Sequence, residues 1–146
     1  VTPLGLPRAV LDAIYAHAEK GHPEEVCGLV FAKRGVGYPD AEARPCENRE
    51  RRCARTGYDF APRDLMLLDE SLRSERPARI IYHSHVEVGA YFSDEDVHAA
   101  APAGALLYPC DHLVVDVKHA GAQGCRLFRF ERDRFVEIGH EARVRP

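Results

Sequence analysis

The spacing of apolar positions changes several times along this chain, and each change marks an element. In RAVLDAIYAHAEKG, Val10, Leu11, Ile14, Tyr15 and Ala18 recur at three- and four-residue steps and share one helical face, with Pro7 ahead of them and Gly21 as a stop. The run CGLVFA, Cys27 to Ala32, is continuously apolar and reads as a buried strand, and residues 35–45 read as a hairpin connection into a second strand. Tyr58-Asp59-Phe60 is a short strand-like piece, and Pro62 opens a second helix with Leu65, Leu68 and Leu72 on one face. After Pro77, ARIIY is apolar and partly β-branched, which predicts a strand from Ala78 to His85. A third helix is expected from Ser93 to about Ala101, ended by Ala-Ala-Pro-Ala-Gly. His112 to Val117 and Cys125 to Glu131 predict strands separated by a turn from Ala120 to Gly124, and Asp133 leads into a last strand from Phe135 to Ile138. The order helix, strands, helix, strand, helix, strands predicts an α/β fold: a mixed sheet flanked by helices, antiparallel in its C-terminal third.

Composition sets the background. The 146 residues suit a single domain, 1–146, large enough to bury a core without disulfides or a structural metal, so a bound metal would serve function. A formal charge of −3 gives no basic field for a phosphate backbone. No apolar stretch approaches a bilayer span, and VTPLGLPRAV lacks the charged segment and apolar core of a signal peptide. Five cysteines, an odd number in no dense framework, favour reduced thiols. The expectation is a soluble cytoplasmic protein with neither nucleic acid nor membrane as partner; its oligomeric state is not legible. Cys46 and Cys53 are the one close pair, six residues between them, and that spacing implies neither a second zinc site nor a redox pair. Cys27 opens an apolar run and reads as a small buried residue rather than a nucleophile.

Candidate chemistry concentrates in HSHVEVGAYFSDED. His83 and His85 lie two apart at the end of a strand and therefore point the same way, and Asp96, in the first turn of the third helix, can swing back toward them. Two imidazoles and a carboxylate make a three-ligand zinc set with a fourth position open to water; the same donors also suit iron. Ser93-x-x-Asp96 is equally a helix capping box, in which serine and acid satisfy free backbone N–H groups. Ser84 points to the opposite strand face and reads as structural. Glu24 reads as a solvated charge. Asp94, Glu95 and His98 lie beside Asp96, where acids commonly complement the helix dipole. Glu87 and Tyr91, in the loop between the ligand groups, are candidates for substrate contact.

These residues resemble the JAMM or MPN-plus (Mov34/MPN/PAD-type) zinc metallopeptidases, whose pattern is an early glutamate, His-Ser/Thr-His, seven residues, Ser, two residues, Asp. In HPEEVCGLVFA, the segment from Pro23 to Leu29 resembles the P-x-E-x-C-G-L signature of small bacterial and archaeal members, which places the family glutamate at Glu25 rather than Glu24. Asn48, IIYHSH and LLYPCDHLVVDV agree as well, and the likeness runs from about Pro7 to Ile138. The resemblance implies the cytidine-deaminase-like MPN fold. It also implies one Zn²⁺ per chain on His83, His85 and Asp96, Glu25 as general base, and Ser93 as donor to the oxyanion. The implied reaction is hydrolysis of a peptide or isopeptide bond after the Gly-Gly tail of a ubiquitin-like or sulfur-carrier protein. The chain lacks the long insertions and extra zinc-binding loop of ubiquitin-specific relatives, which favours a small β-grasp carrier whose tail lies along a sheet edge. Two other readings are a catalytically silent MPN scaffold, although no ligand is lost here, and a RadC-like metal hydrolase, from whose His-Asn-His-Pro pattern Val86-Glu87-Val88 departs.

Overall fold

The computed structural model describes residues 1–143; residues 144–146, the end of the expected domain, lie outside the described residues. The elements in chain order are α1 (Arg8–Gly21), β1 (Cys27–Phe31), β2 (Glu42–Cys46), α2 (Pro62–Ser71), β3 (Ala78–Val86), α3 (Asp94–Ala100), β4 (Asp111–Lys118), β5 (Gly121–Glu131) and β6 (Arg134–Ala142). The strands form one six-stranded sheet in the order β2-β1-β3-β4-β5-β6. Only β3 and β4 run parallel; the other neighbours are antiparallel, so the expected mixed α/β sheet is what forms. A parallel pair needs a crossover rather than a tight turn, and here it is the segment carrying α3. That crossover leaves from the C-terminal end of β3, where sites in such sheets gather.

Strand alternation splits the core in two. Leu11, Ile14, Tyr15 and Ala18 of α1 pack on one face against Val30, Ile80, Tyr82, Leu113, Val115 and Leu127. On the other face Leu68 of α2 packs with Cys27, Leu29, Phe60 and Ile81. Ala99 and Ala100 of α3 share a cavity with Leu65, Ile81 and His112, so α3 lies on α2's side of the sheet. Along β3, Ile80, Tyr82 and Ser84 therefore face α1, whereas Ile81, His83 and His85 face α2 and α3. Gly28 lies opposite Tyr82, and a Cβ there would come within 2.2 Å of the Tyr82 ring, so only glycine leaves it room. The Tyr82 hydroxyl then lies 2.7 Å from His17 Nδ1.

Several boundaries differ from the local pattern. β2 begins at Glu42, inside the expected connection, and carries Pro45, which an edge strand tolerates because its outer N–H needs no partner. Tyr58-Asp59-Phe60 contributes a single bridge, Asn48 to Phe60, rather than a strand. β5 begins at Gly121 because the hairpin closes between Lys118 and Gly121, and Glu19 Oε2 accepts the Ala122 N–H at 3.0 Å. β6 runs on to Ala142, tied to α1 where Glu141 accepts from the Tyr15 hydroxyl at 2.7 Å and pairs with Arg8 at 2.8 Å.

Candidate metal centre

His83 and His85 end the buried stretch of β3, and α3 returns Asp96 to them. One ligand atom from each of the three residues lies within 4.8 Å of the others. His85 Nε2 is 3.0 Å from Asp96 Oδ2, and His83 Nε2 is 3.2 Å from Asp96 Oδ1 without hydrogen-bond alignment. The capping box is present in full: Ser93 N–H donates to Asp96 Oδ2 at 3.0 Å, and Asp96 N–H donates to Ser93 Oγ at 3.1 Å. Capping and site-building are therefore one arrangement. The box fixes the carboxylate that faces both imidazoles, and the serine accepts through a lone pair, which leaves its O–H free to donate.

The donor set suits a divalent cation. His85 Nδ1 lies 3.1 Å from the Gly89 carbonyl, which can only accept, so Nδ1 carries the proton of that bond. Nε2 is then the free nitrogen, and facing a carboxylate at 3.0 Å it calls for a proton or a cation between them. His83 is fully buried, and neither ring nitrogen has a hydrogen-bond partner, an unfavourable state for a neutral ring that metal ligation would relieve. Burial pushes the His83 pKa down against the opposing influence of Asp96. For His85 burial also disfavours the charged ring, but the contact and charge of Asp96, with Glu25 and Gly89, outweigh it and the pKa is raised. Burial likewise disfavours a charged Asp96, yet the two imidazoles and the Ser93 N–H hold it well below the usual carboxylate range.

Glu25 lies between α1 and β1 and is anchored through its backbone. Its N–H donates to Ala54 O at 2.7 Å, and its carbonyl accepts from Asn48 Nδ2 at 2.9 Å. The next residue, Val26, donates its N–H to Ser84 Oγ at 2.8 Å, and Ser84 N–H returns to Val26 O at 3.1 Å. Ser84, on the face away from the imidazoles, thus fixes Glu25 relative to the histidines. The Glu25 side chain lines one cleft with His85, Ser93, Tyr91 and Arg55. Burial raises its pKa to about 8; the charge of His85 opposes this, and those of Asp96 and Glu95 add to it. A carboxyl perturbed in this way inside a cleft marks a candidate acid–base group.

The loop residues diverge. Tyr91 packs edge-on to His85 with ring centres 4.9 Å apart. Glu87 turns away to pair with His22 Nε2 at 3.0 Å and does not line the cleft. Asp94 and Glu95 do line it. Three residues gain a place that the sequence pattern did not assign. Tyr58 stacks on His83 at 4.6 Å and 25°, Asn48 joins the Glu25 backbone to the following loop, and Arg55 enters the cleft. No local period marks any of them; the family resemblance had pointed to Asn48, but without a role, and nothing pointed to Tyr58 or Arg55. All five cysteines are free, with Cys46 buried and Cys53 exposed.

Comparison with known proteins agrees with this geometry. A family model described as prokaryotic homologues of the JAB domain matches residues 7–130. Curated proteins named CysO-cysteine peptidase, from Mycobacterium tuberculosis and Mycobacterium bovis, are 30% identical over 97 residues, covering 66% of this chain. The chain spans 64% of the length of those relatives. A solution structure of a Desulfitobacterium hafniense protein superposes with a TM-score of 0.66 at 19% identity, covering 90% of this chain and 87% of that one. A Salinibacter ruber protein gives 0.60 at 20% identity, covering 96% and 90%. These two likenesses concern the fold. With the family match spanning most of the chain and the JAMM-type ligand pattern assembled in space, this protein belongs to the prokaryotic JAB-domain (JAMM/MPN) family.

Proposed function

We propose that this chain is a zinc-dependent metallopeptidase, a JAMM-type isopeptidase that hydrolyses the amide bond following the Gly-Gly tail of a ubiquitin-like or sulfur-carrier protein. The observation that carries this reading is the convergence of His83, His85 and Asp96 beside a cleft shared by Glu25 and Ser93. His83, His85 and Asp96 would hold one Zn²⁺ per chain. Zinc in such a site supplies Lewis acidity, acidifying water toward neutrality and polarising a substrate carbonyl. Glu25, whose carboxyl is raised by burial to about 8 in the metal-free protein and which a neighbouring cation would return toward the carboxylate, would take a proton from the attacking water and return it to the leaving amine. The Ser93 O–H donates to the carbonyl oxygen as negative charge develops there. Tyr91 offers its ring to the bound tail, and Glu87 would meet substrate by leaving His22. The name CysO-cysteine peptidase, carried by the Mycobacterium relatives, favours a carrier-protein adduct as substrate. We assign the whole chain to one such domain, with its core from about Pro7 to Ile138, and place its work in the cytoplasm, where five free thiols stay reduced.

The test is metal content by elemental mass spectrometry on protein purified without chelator or histidine tag, together with turnover of a Gly-Gly-linked fusion. The expected result is about one zinc per chain, with hydrolysis abolished in Glu25→Gln and both metal and hydrolysis lost in Asp96→Ala. Full turnover by Glu25→Gln would overturn the mechanism, and absence of metal even after zinc is added back would overturn the function.

A further inference from the structure

We infer that Arg55 determines specificity by reading a free α-carboxylate on the residue being released, so that the preferred bond joins the carrier tail to a single terminal amino acid. This rests on the peptidase reading above and extends it to the leaving group.

The cleft gathers three carboxyl groups and one guanidinium. Glu25, Asp94 and Glu95 all line it, and among the described residues Arg55 is its one guanidinium or ammonium side chain. Two nearby arginines are engaged, Arg51 and Arg63 both pairing with Glu47 and Arg51 also donating to Asn48 O, whereas Arg49 does not line the cleft. The Arg55 side chain has no ion pair or hydrogen bond among the described residues, although three carboxyl groups share its cleft. An uncommitted guanidinium beside the reacting groups is available to a ligand.

The segment that presents it is held by its own hydrogen bonds. Asn48 Oδ1 accepts the N–H groups of Glu50 at 2.9 Å and Asp59 at 3.0 Å, while Nδ2 donates to Glu25 O at 2.9 Å and Gly57 O at 3.1 Å. Glu50 Oε1 accepts from the backbone of Arg52 at 2.9 Å and Cys53 at 3.3 Å. Thr56 N–H closes a turn onto Cys53 O at 2.9 Å, and Ala54 O accepts the Glu25 N–H at 2.7 Å. The residue immediately before Arg55 is thus bonded to the peptide of Glu25 itself. The loop sets the Arg55 backbone in place relative to the base before substrate arrives, which spares part of the ordering cost of binding while the exposed side chain itself is ordered by the ligand.

The chemistry then selects the leaving group. A guanidinium fork matches a carboxylate through paired charged hydrogen bonds. A terminal amino acid carries a carboxylate on the carbon next to the scissile nitrogen, whereas a lysine side chain in an isopeptide does not. Without Arg55 that anion would meet three carboxyl groups. In the step itself, the tail carbonyl gains the oxygen of water and the C–N bond breaks. Glu25 delivers one water proton to nitrogen, and the other passes to the amine as the new carboxyl ionises. The products are a tail carboxylate and a zwitterionic amino acid still in contact with Arg55.

The experiment uses the zinc-loaded protein and two synthetic peptides ending in Gly-Gly-Ala, one with a free C-terminal carboxylate and one with a C-terminal amide. The wild type should favour the free acid by roughly 10- to 100-fold in kcat/KM, chiefly through KM, and the preference should shrink as ionic strength rises. Arg55→Ala should abolish the preference while keeping turnover of the amide, zinc content and melting temperature; Arg55→Lys should restore part of it. Binding of both peptides to Glu25→Gln should show the same discrimination without turnover. Equal use of acid and amide by the wild type, or a preference that survives in Arg55→Ala, overturns the inference while leaving the peptidase reading intact. No turnover and no binding of either peptide overturns both.

Discussion

Replacing Glu25 with glutamine should make the metal-free protein more stable at high pH, and by an amount that the structure sets. Its carboxyl is held at about 8 against an ordinary 4.5, first because it is buried, with His85 opposing and Asp96 and Glu95 adding. Between those two values the folded protein keeps a proton that the unfolded chain has released. Whatever stability that proton gives is complete below about 4.5, declines as pH rises, and is gone above about 8. Converted in full at about 1.36 kcal/mol per pH unit, the difference is at most about 5 kcal/mol. The side chain opens onto a cleft that water can enter, and screening there reduces the expectation to about 2–3 kcal/mol. Glutamine keeps the shape and removes the charge. Urea unfolding of chelator-treated wild type and Glu25→Gln, at about pH 5 and about pH 9, should therefore show the variant gaining about 2–3 kcal/mol relative to wild type. With zinc restored the gap should narrow, because a nearby cation favours the carboxylate. A difference that does not change with pH, or one that moves against the variant as pH rises, would refute the claim that burial poises this group as the base.

The other expectations are simpler. Asp96→Ala should lose bound metal by elemental mass spectrometry and, because the half of the capping box made by its carboxylate goes with it while the bond to Ser93 Oγ stays, about 0.5–1 kcal/mol of stability by denaturant titration; retention of zinc would contradict the ligand assignment. Ser93→Ala should keep its metal and slow turnover by about 10²- to 10³-fold in kcat, and an unchanged kcat would remove Ser93 from the mechanism. Ser84→Ala should destabilise the protein by about 1–3 kcal/mol in urea by leaving the Val26 N–H without its partner, and it should lower activity through Glu25; a variant with wild-type stability and rate would show that this bond does not position the base.

The chain's own periodicities settled much of this protein. The faces of α1 and α2, the buried strand ending in His83 and His85, and the box that begins α3 are local features, because side-chain direction within a strand or helix follows from a few neighbouring residues. The same two-residue alternation that joins the imidazoles sends Ser84 to the other face, as expected. Loop geometry has no such period. That is why Glu87, adjacent in sequence to the ligands, is drawn off to His22, and why the expected strand at Tyr58-Asp59-Phe60 shrinks to a single bridge.

What the tertiary structure alone decided is how distant segments meet. Asn48 reaches the Glu25 carbonyl across 23 positions, Ser84 reaches Val26 across 58, and Tyr58 covers His83 from a loop with no strand pairing beyond its neighbour. The family resemblance, rather than any local pattern, pointed to Glu25 as the base. Its raised pKa came only from being enclosed beside Asp96 and Glu95, and the exposure of Arg55 to that cleft only from the loop bonded to the Glu25 backbone. A carboxyl's proton affinity and an arginine's freedom to bind depend on which charges and how much water surround them, and those surroundings exist only once the chain has folded.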